Sequence, residues 1–165
     1  MAVGFVVVVV ASTRQAAVPV GALGGVSGMS MSGSGGAMRM SMRDVDGRTV
    51  RIPDGHPGVI VFVQPGRCGP CVAALRTAAG ASRAGVPLTV ISVDSTTSRD
   101  DVSRLAAATG RPRAHYVVDD RNGSLASMFG ASRLGAILVY DARGKIVGRP
   151  STAAGIRRAL LRSVR

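Results

Sequence analysis

The feature that most restricts this chain is a continuous apolar run, Gly58–Gln64 (GVIVFVQ). It leads through Pro65-Gly66-Arg67 into Cys68-Gly69-Pro70-Cys71 and a helix-like stretch, Pro70–Ala79. A β-branched run without polar alternation is the pattern of a strand covered on both faces. A C-x-x-C at a strand-to-helix junction reads as a redox site. At the opening of a helix, Cys68 meets unpaired backbone N–H groups and the positive end of the helix dipole, and both favour thiolate over thiol. Arg67 adds a positive charge next to it. Cys71 lies one turn in, partly shielded and close enough to close a disulfide. Pro70 sits early in the helix, where a missing N–H costs little and the ring fixes local geometry.

This asymmetry predicts the chemistry. The Cys68 thiolate attacks a target disulfide, and Cys71 then attacks Cys68 to release the reduced target. Two other readings compete. A purely structural bridge over so short a loop stabilises little. A metal site needs further ligands, and only His56, His115, Met and Asp are on offer. The chain has 2 cysteines, which excludes a disulfide-dense mini-protein and a four-cysteine zinc site. No metal and no bound cofactor are expected. Gly21–Gly28 lacks the strand–turn–helix setting of a dinucleotide site.

Around this centre, apolar runs alternate with helical patterns. Arg43–Ile52 places a turn at Asp46-Gly47 between strand-like flanks, and Pro87–Val93 is a second buried strand. Ser98 starts a helix with capping-box spacing to Asp101; Val102, Leu105, Ala106 and Ala108 supply its core face, and Gly110 ends it. Ala114–Val118 is a strand, Gly123–Phe129 a short helix, and Ala136–Tyr140 with Lys145–Val147 a hairpin around Asp141–Gly144. Ala153–Val164 closes the chain as an amphipathic helix. Ile156, Ala159, Leu160 and Val164 share one face, and Arg157, Arg158, Arg162 and Arg165 form a solvated one. This order predicts an α/β fold with a mixed sheet.

The first 42 residues differ. Ala2–Ala11 is wholly non-polar, Ala16–Val26 is a second apolar patch, and Ser27–Ser41 is almost entirely Gly, Ser and Met. Residues 1–26 read as a signal-like or membrane-anchor segment, although the usual positive leader is missing. Residues 27–42 read as a flexible Gly/Ser/Met-rich linker, and residues 43–165 as the folded domain. Export or tethering then places the domain outside the cytoplasm; without a working signal it stays in the cytoplasm. The formal net charge is +12, built from 21 Lys and Arg against 9 Asp and no Glu. Such a surface attracts anions without specificity. Aromatics at 3% and the absence of Trp give no base-stacking surface, so no specific nucleic-acid partner is expected.

Over residues 43–165 the chain resembles the thioredoxin superfamily, most of all the exported or membrane-tethered bacterial disulfide reductases of its redoxin branch, including those of cytochrome c maturation. The segments GVIVFVQPGRCGPC, VISVDSTTSRDDVSRLAAATG and FGASRLGAILVYDARGKIVGR carry the resemblance. It implies a three-layer sandwich with a central mixed sheet flanked by helices. It also implies Cys68 as attacking and Cys71 as resolving cysteine, with Arg67, Gly69, Pro70, Leu134 and Gly135 in support. The implied partners are protein disulfides and an upstream electron-donor protein, and the chain is expected to be a monomer.

Three departures stand out. Arg67 replaces an aromatic that usually precedes the first cysteine. Phe62 stands where thioredoxins place a buried aspartate, leaving water or another carboxylate as proton acceptor for Cys71. Gly135, after Leu134, takes the place of the family's cis-proline. A cis bond is rare without proline, so Leu134–Gly135 is expected to be trans, with glycine allowing a similar loop path.

Two alternative functions remain in view. One is Cu(I) binding or delivery by the dithiol with Met29, Met31, Met38, Met40 and Met42, since soft thioethers suit Cu(I). The other is a redox-inert interaction domain, for which Gly135 is the main argument. His115 reads as an ordinary strand residue and His56 as a loop residue before Pro57.

Overall fold

A computed structural model describes residues 26–31, 37–66, 68–82, 85–110, 112–119, 123–131 and 133–164. The strands are Val26–Met31 (β1), Met38–Arg43 (β2), Thr49–Ile52 (β3), Gly58–Val63 (β4), Leu88–Ser92 (β5), His115–Val118 (β6), Ile137–Tyr140 (β7) and Ile146–Gly148 (β8). The helices are Gly69–Ala81 (α1), Arg99–Ala108 (α2), Ser124–Met128 (α3) and Ala153–Arg162 (α4). Among the described residues, no helix is long and apolar enough to cross a membrane. The expected signal-like or anchor segment, 1–26, lies outside the described residues except for Val26, which opens β1.

The main sheet has the order β6-β5-β4-β7-β8. β4, β5 and β6 run parallel, while β7 is antiparallel to β4 and β8 antiparallel to β7. It is a mixed five-stranded sheet flanked by helices, as the alternating pattern predicts. β4 is central and buried at every position, which is why its sequence shows no polar alternation. Its side chains still alternate between faces. Val59, Val61 and Val63 meet α1 and α4 through Leu75, Ala78, Ile156 and Ala159. Ile60 and Phe62 belong to the opposite core, with Leu125 and Phe129 at α3.

That second face departs from expectation. The linker assigned to 27–42 is corrected: β1 and β2 pair antiparallel, and β2 pairs antiparallel with β3. Met38, Met40 and Met42 are 3%, 5% and 0% exposed and pack with Val50, Ile52 and Tyr140. The Met-x-Met spacing is the period-two signature of a strand with one buried face. Unbranched thioethers fill this irregular layer. The folded unit therefore begins before residue 43. β2 is also pinned by the Met38 N–H, which donates to the Gly144 carbonyl at 3.0 Å in the β7–β8 turn. A Cβ on Gly144 would lie 2.2 Å from the Met38 carbonyl oxygen, so only glycine permits this approach.

The β2–β3 turn joins the sheet edge through a buried carboxylate. Asp44, 3% exposed, accepts N–H bonds from Asp46 and Arg48 and lies 3.1 Å from Nδ1 of His115. Next to it the Val45 N–H donates to the Tyr116 carbonyl. The strand residue His115 thus has a specific structural partner that its sequence context did not reveal.

At α2 the capping box forms as expected. The Ser98 hydroxyl accepts from the Asp101 N–H, and the Asp101 carboxylate accepts from the Ser98 N–H. Val102 and Leu105 are buried, but Ala108 is exposed and Thr109 is buried instead. In α4, Ile156 and Ala159 are buried, whereas Val164 is 78% exposed. The helix ends at Arg162, so the expected face does not extend to Val164.

Candidate active site

The site is built at the carboxyl end of β4, where the chain turns into α1. Pro65 and Gly66 make that turn, and Gly66 has φ +83°. Cys68 is the N-cap of α1, and Gly69 and Pro70 fill its first positions, both exposed. Arg67 lies outside the described residues. Cys68 and Cys71 are joined as a disulfide with a Cα–Cα distance of 5.2 Å.

The two sulfurs occupy different surroundings. Cys68 is half-buried and its Sγ accepts the Cys71 N–H at 3.0 Å, so a first-turn donor already points at it. Cys71 is 1% exposed, packed with the valines of β4. Its Sγ accepts the Gln64 N–H at 3.4 Å, a donor the sequence did not reveal. The outer cysteine is partly open to solvent, while the inner one is almost completely covered.

Gly135 lies against this helix. Its φ is +80°, its N–H donates to the Phe62 carbonyl at 2.8 Å, and an added Cβ would stand 3.1 Å from the Pro70 carbonyl oxygen. Among the described residues the only cis peptide is Ile52–Pro53, so Leu134–Gly135 is trans. Phe62 is fully buried, with its ring centroid 6.0 Å from that of Phe129. It lies in the core opposite the one that holds Cys71.

Two concavities flank the disulfide. A groove of about 460 Å³ runs past Pro70, Gly135 and the 40%-exposed Leu134; its charged lining residues are Arg133 and Arg149. A separate polar cavity of about 390 Å³ brings Gln64, Pro65 and Gly66 together with Asp94, Thr97 and Asp101. Hydrogen bonds from the Ser98 hydroxyl and N–H, and then from Arg104, hold the Asp101 carboxyl below its ordinary value. These carboxylates beside the dithiol loop come from the β5–α2 segment, and no motif in the sequence pointed to them.

The copper reading requires accessible thioethers. Three of its five methionines, Met38, Met40 and Met42, are instead buried in the core.

No protein-family model matches the chain, and no curated protein matches it by sequence. Solved structures do match. The thio-disulfide isomerase of Thermus thermophilus is 26% identical with a TM-score of 0.61, over 77% of this chain and 93% of that one. The exposed lipoprotein thioredoxin of Streptococcus pneumoniae is 21% identical with a TM-score of 0.61, over 75% and 98%. A secreted disulfide oxidoreductase of Mycobacterium tuberculosis, homologous to Escherichia coli DsbE, is 15% identical with a TM-score of 0.56, over 74% and 94%. The chain has the thioredoxin-like fold of thiol–disulfide oxidoreductases, and its close Cys68–Cys71 pair supports dithiol redox activity.

Proposed function

We propose that this thioredoxin-fold chain is a thiol–disulfide oxidoreductase that exchanges electrons with protein disulfides through Cys68-Gly69-Pro70-Cys71, outside the cytoplasm. The observation that carries the reading is the unequal exposure of two bonded sulfurs at one helix N-terminus. In the reduced protein the Cys68 thiolate attacks one sulfur of a target disulfide. The other target sulfur leaves as a thiolate and takes up a proton. The Cys71 sulfur, having given up its proton to water or a carboxylate, then attacks Cys68 Sγ. This frees the second target thiolate and regenerates the Cys68–Cys71 bond. Two electrons pass to the target, and an upstream dithiol protein restores them.

First-turn N–H groups and the helix dipole lower the cost of negative charge on Cys68, which makes it both the attacking sulfur and the better leaving group. Leu134 and Gly135 form the wall along which a target segment would lie, Gly69 and Pro70 shape the approach, and Arg67, next to Cys68 in sequence, contributes positive charge. Extracytoplasmic placement is supported by the apolar segment 1–26 and by two structural neighbours described as an exposed lipoprotein and a secreted protein. Residues from β1 onward then form the exported domain.

The test is a redox titration of the full chain coupled to thiol trapping, because β1 and β2 belong to the folded unit. One reversible two-electron couple is expected. Mixed disulfide with a model protein target should accumulate in Cys71→Ser and be absent in Cys68→Ser. Equal trapping through either sulfur would overturn the assigned roles, and no exchange by the wild type would overturn the function.

A further inference from the structure

The pole opposite the disulfide carries a second surface that this chemistry does not use. A groove of about 510 Å³ lies where α4 meets the end of α1, lined by Pro57, Ala81, Val86, Leu160, Leu161 and Val164 among others. Leu161 and Val164 are 71% and 78% exposed, and they are the most exposed large apolar side chains of the described residues. The helical period explains the surface. Ala154, Arg157 and Leu161 fall on one side of α4, displaced from the Ile156–Ala159 face that packs on the sheet, and Val164 lines the same groove from just beyond the helix end. Arg157, Arg158 and Arg162 are all exposed around this strip, and no groove-lining residue is acidic.

We infer that this face docks on an anionic lipid surface, with Leu161 and Val164 entering the headgroup boundary and the arginines meeting lipid phosphates. An apolar strip bordered by arginine is the composition of an interfacial helix, and arginine stems can lie along the strip while their heads reach phosphate. Charge decides between occupants. A second copy docked symmetrically would set the arginines of one α4 against those of the other. The chain's own apolar segment, Ala2–Ala11, has no carboxylate to answer them. An anionic bilayer supplies both the apolar layer and the charge. The geometry also suits the redox site: the 13 residues of α1 hold the disulfide about 20 Å from the groove, so a docked protein turns it toward solvent.

The chain contains no tryptophan, so Leu161→Trp places a sole reporter on the exposed strip. Full-length protein is titrated with vesicles of phosphatidylglycerol and phosphatidylcholine, and with phosphatidylcholine alone. Anionic vesicles should shift Trp emission to the blue and allow quenching by brominated acyl chains, while neutral vesicles should not. Arg157→Gln and Arg158→Gln in that background should each raise the lipid needed for half the shift about fivefold. A control reporter, Met128→Trp on α3, should stay in water even when the protein is vesicle-bound.

Several outcomes would overturn the inference. They are an unchanged spectrum at position 161, an equal response to neutral lipid, or an equal response at position 128. A blue emission before lipid is added would also do so. If it depended on protein concentration it would assign the groove to a second copy, and otherwise to the chain's own apolar segment.

Discussion

The resemblance to thioredoxins puts Gly135 at the place of their cis-proline, and the variant Gly135→Pro introduces that residue. The structure predicts that it damages this protein. Proline holds φ near about −65°, whereas Gly135 has φ +80°. The substitution also removes the N–H that donates to the Phe62 carbonyl at 2.8 Å. A proline that is incompatible with the backbone and removes a hydrogen bond costs about 3 kcal/mol or more. That loss is a large part of a stability of about 5–15 kcal/mol typical of such a domain. Gly135→Ala keeps the N–H but still places a side chain in the left-handed region, at about 1–2 kcal/mol. Its Cβ would stand 3.1 Å from the Pro70 carbonyl oxygen, which is backbone and yields little. Urea unfolding of the oxidised proteins, at constant slope, measures both. The expected order of stability is Gly, then Ala, then Pro. A proline variant as stable as the wild type would refute the reasoning, because the loop would then prefer a path other than the one described.

Two further predictions test the fold and its pH response. Met42→Ala removes a fully buried side chain from β2 and should cost about 2–5 kcal/mol; a loss near zero in the same unfolding assay would return residues 27–42 to the status of a linker. Burial, and then the charge of Asp54, hold the Tyr140 hydroxyl in its protonated form above the ordinary value of 10.0, and burial does the same for Tyr116. The folded chain then keeps protons that the unfolded chain releases. Stability should be complete below that ordinary value and fall as pH rises beyond it. Urea midpoints across this range should show the alkaline decline, and Tyr140→Phe should reduce it; an identical decline in the variant would contradict the assignment.

The parts of this molecule that could be read from sequence are those where one physical pattern dominates. β4 is buried on both faces, and its unbroken valine–isoleucine run says so. The Ser98–Asp101 cap is a local hydrogen-bond exchange, visible in spacing alone. The cysteine pair could be placed because strand, turn and helix are contiguous in the chain. What escaped depended on neighbours distant in sequence. Met38, Met40 and Met42 lie in a segment whose Gly and Ser content suggested a spacer, and only the pairing with β1 and β3 gives their alternation a meaning. Asp44 and His115 are far apart along the chain and meet where the hairpin joins β6. The carboxylates of the β5–α2 segment reach the dithiol loop through the parallel pairing of β4 with β5. Val164 was assigned to a buried face by periodicity, but the helix ends before it.

The most direct test is the pH dependence of alkylation of the fully reduced chain, with each modified sulfur identified. Cys68 alone should react rapidly, with a midpoint below the ordinary cysteine value of about 8.5, and Cys71 should be protected until the protein unfolds. A midpoint at or above that value, or equal reaction of both sulfurs in the folded protein, would contradict the claim that the outer sulfur is kept anionic by the start of α1.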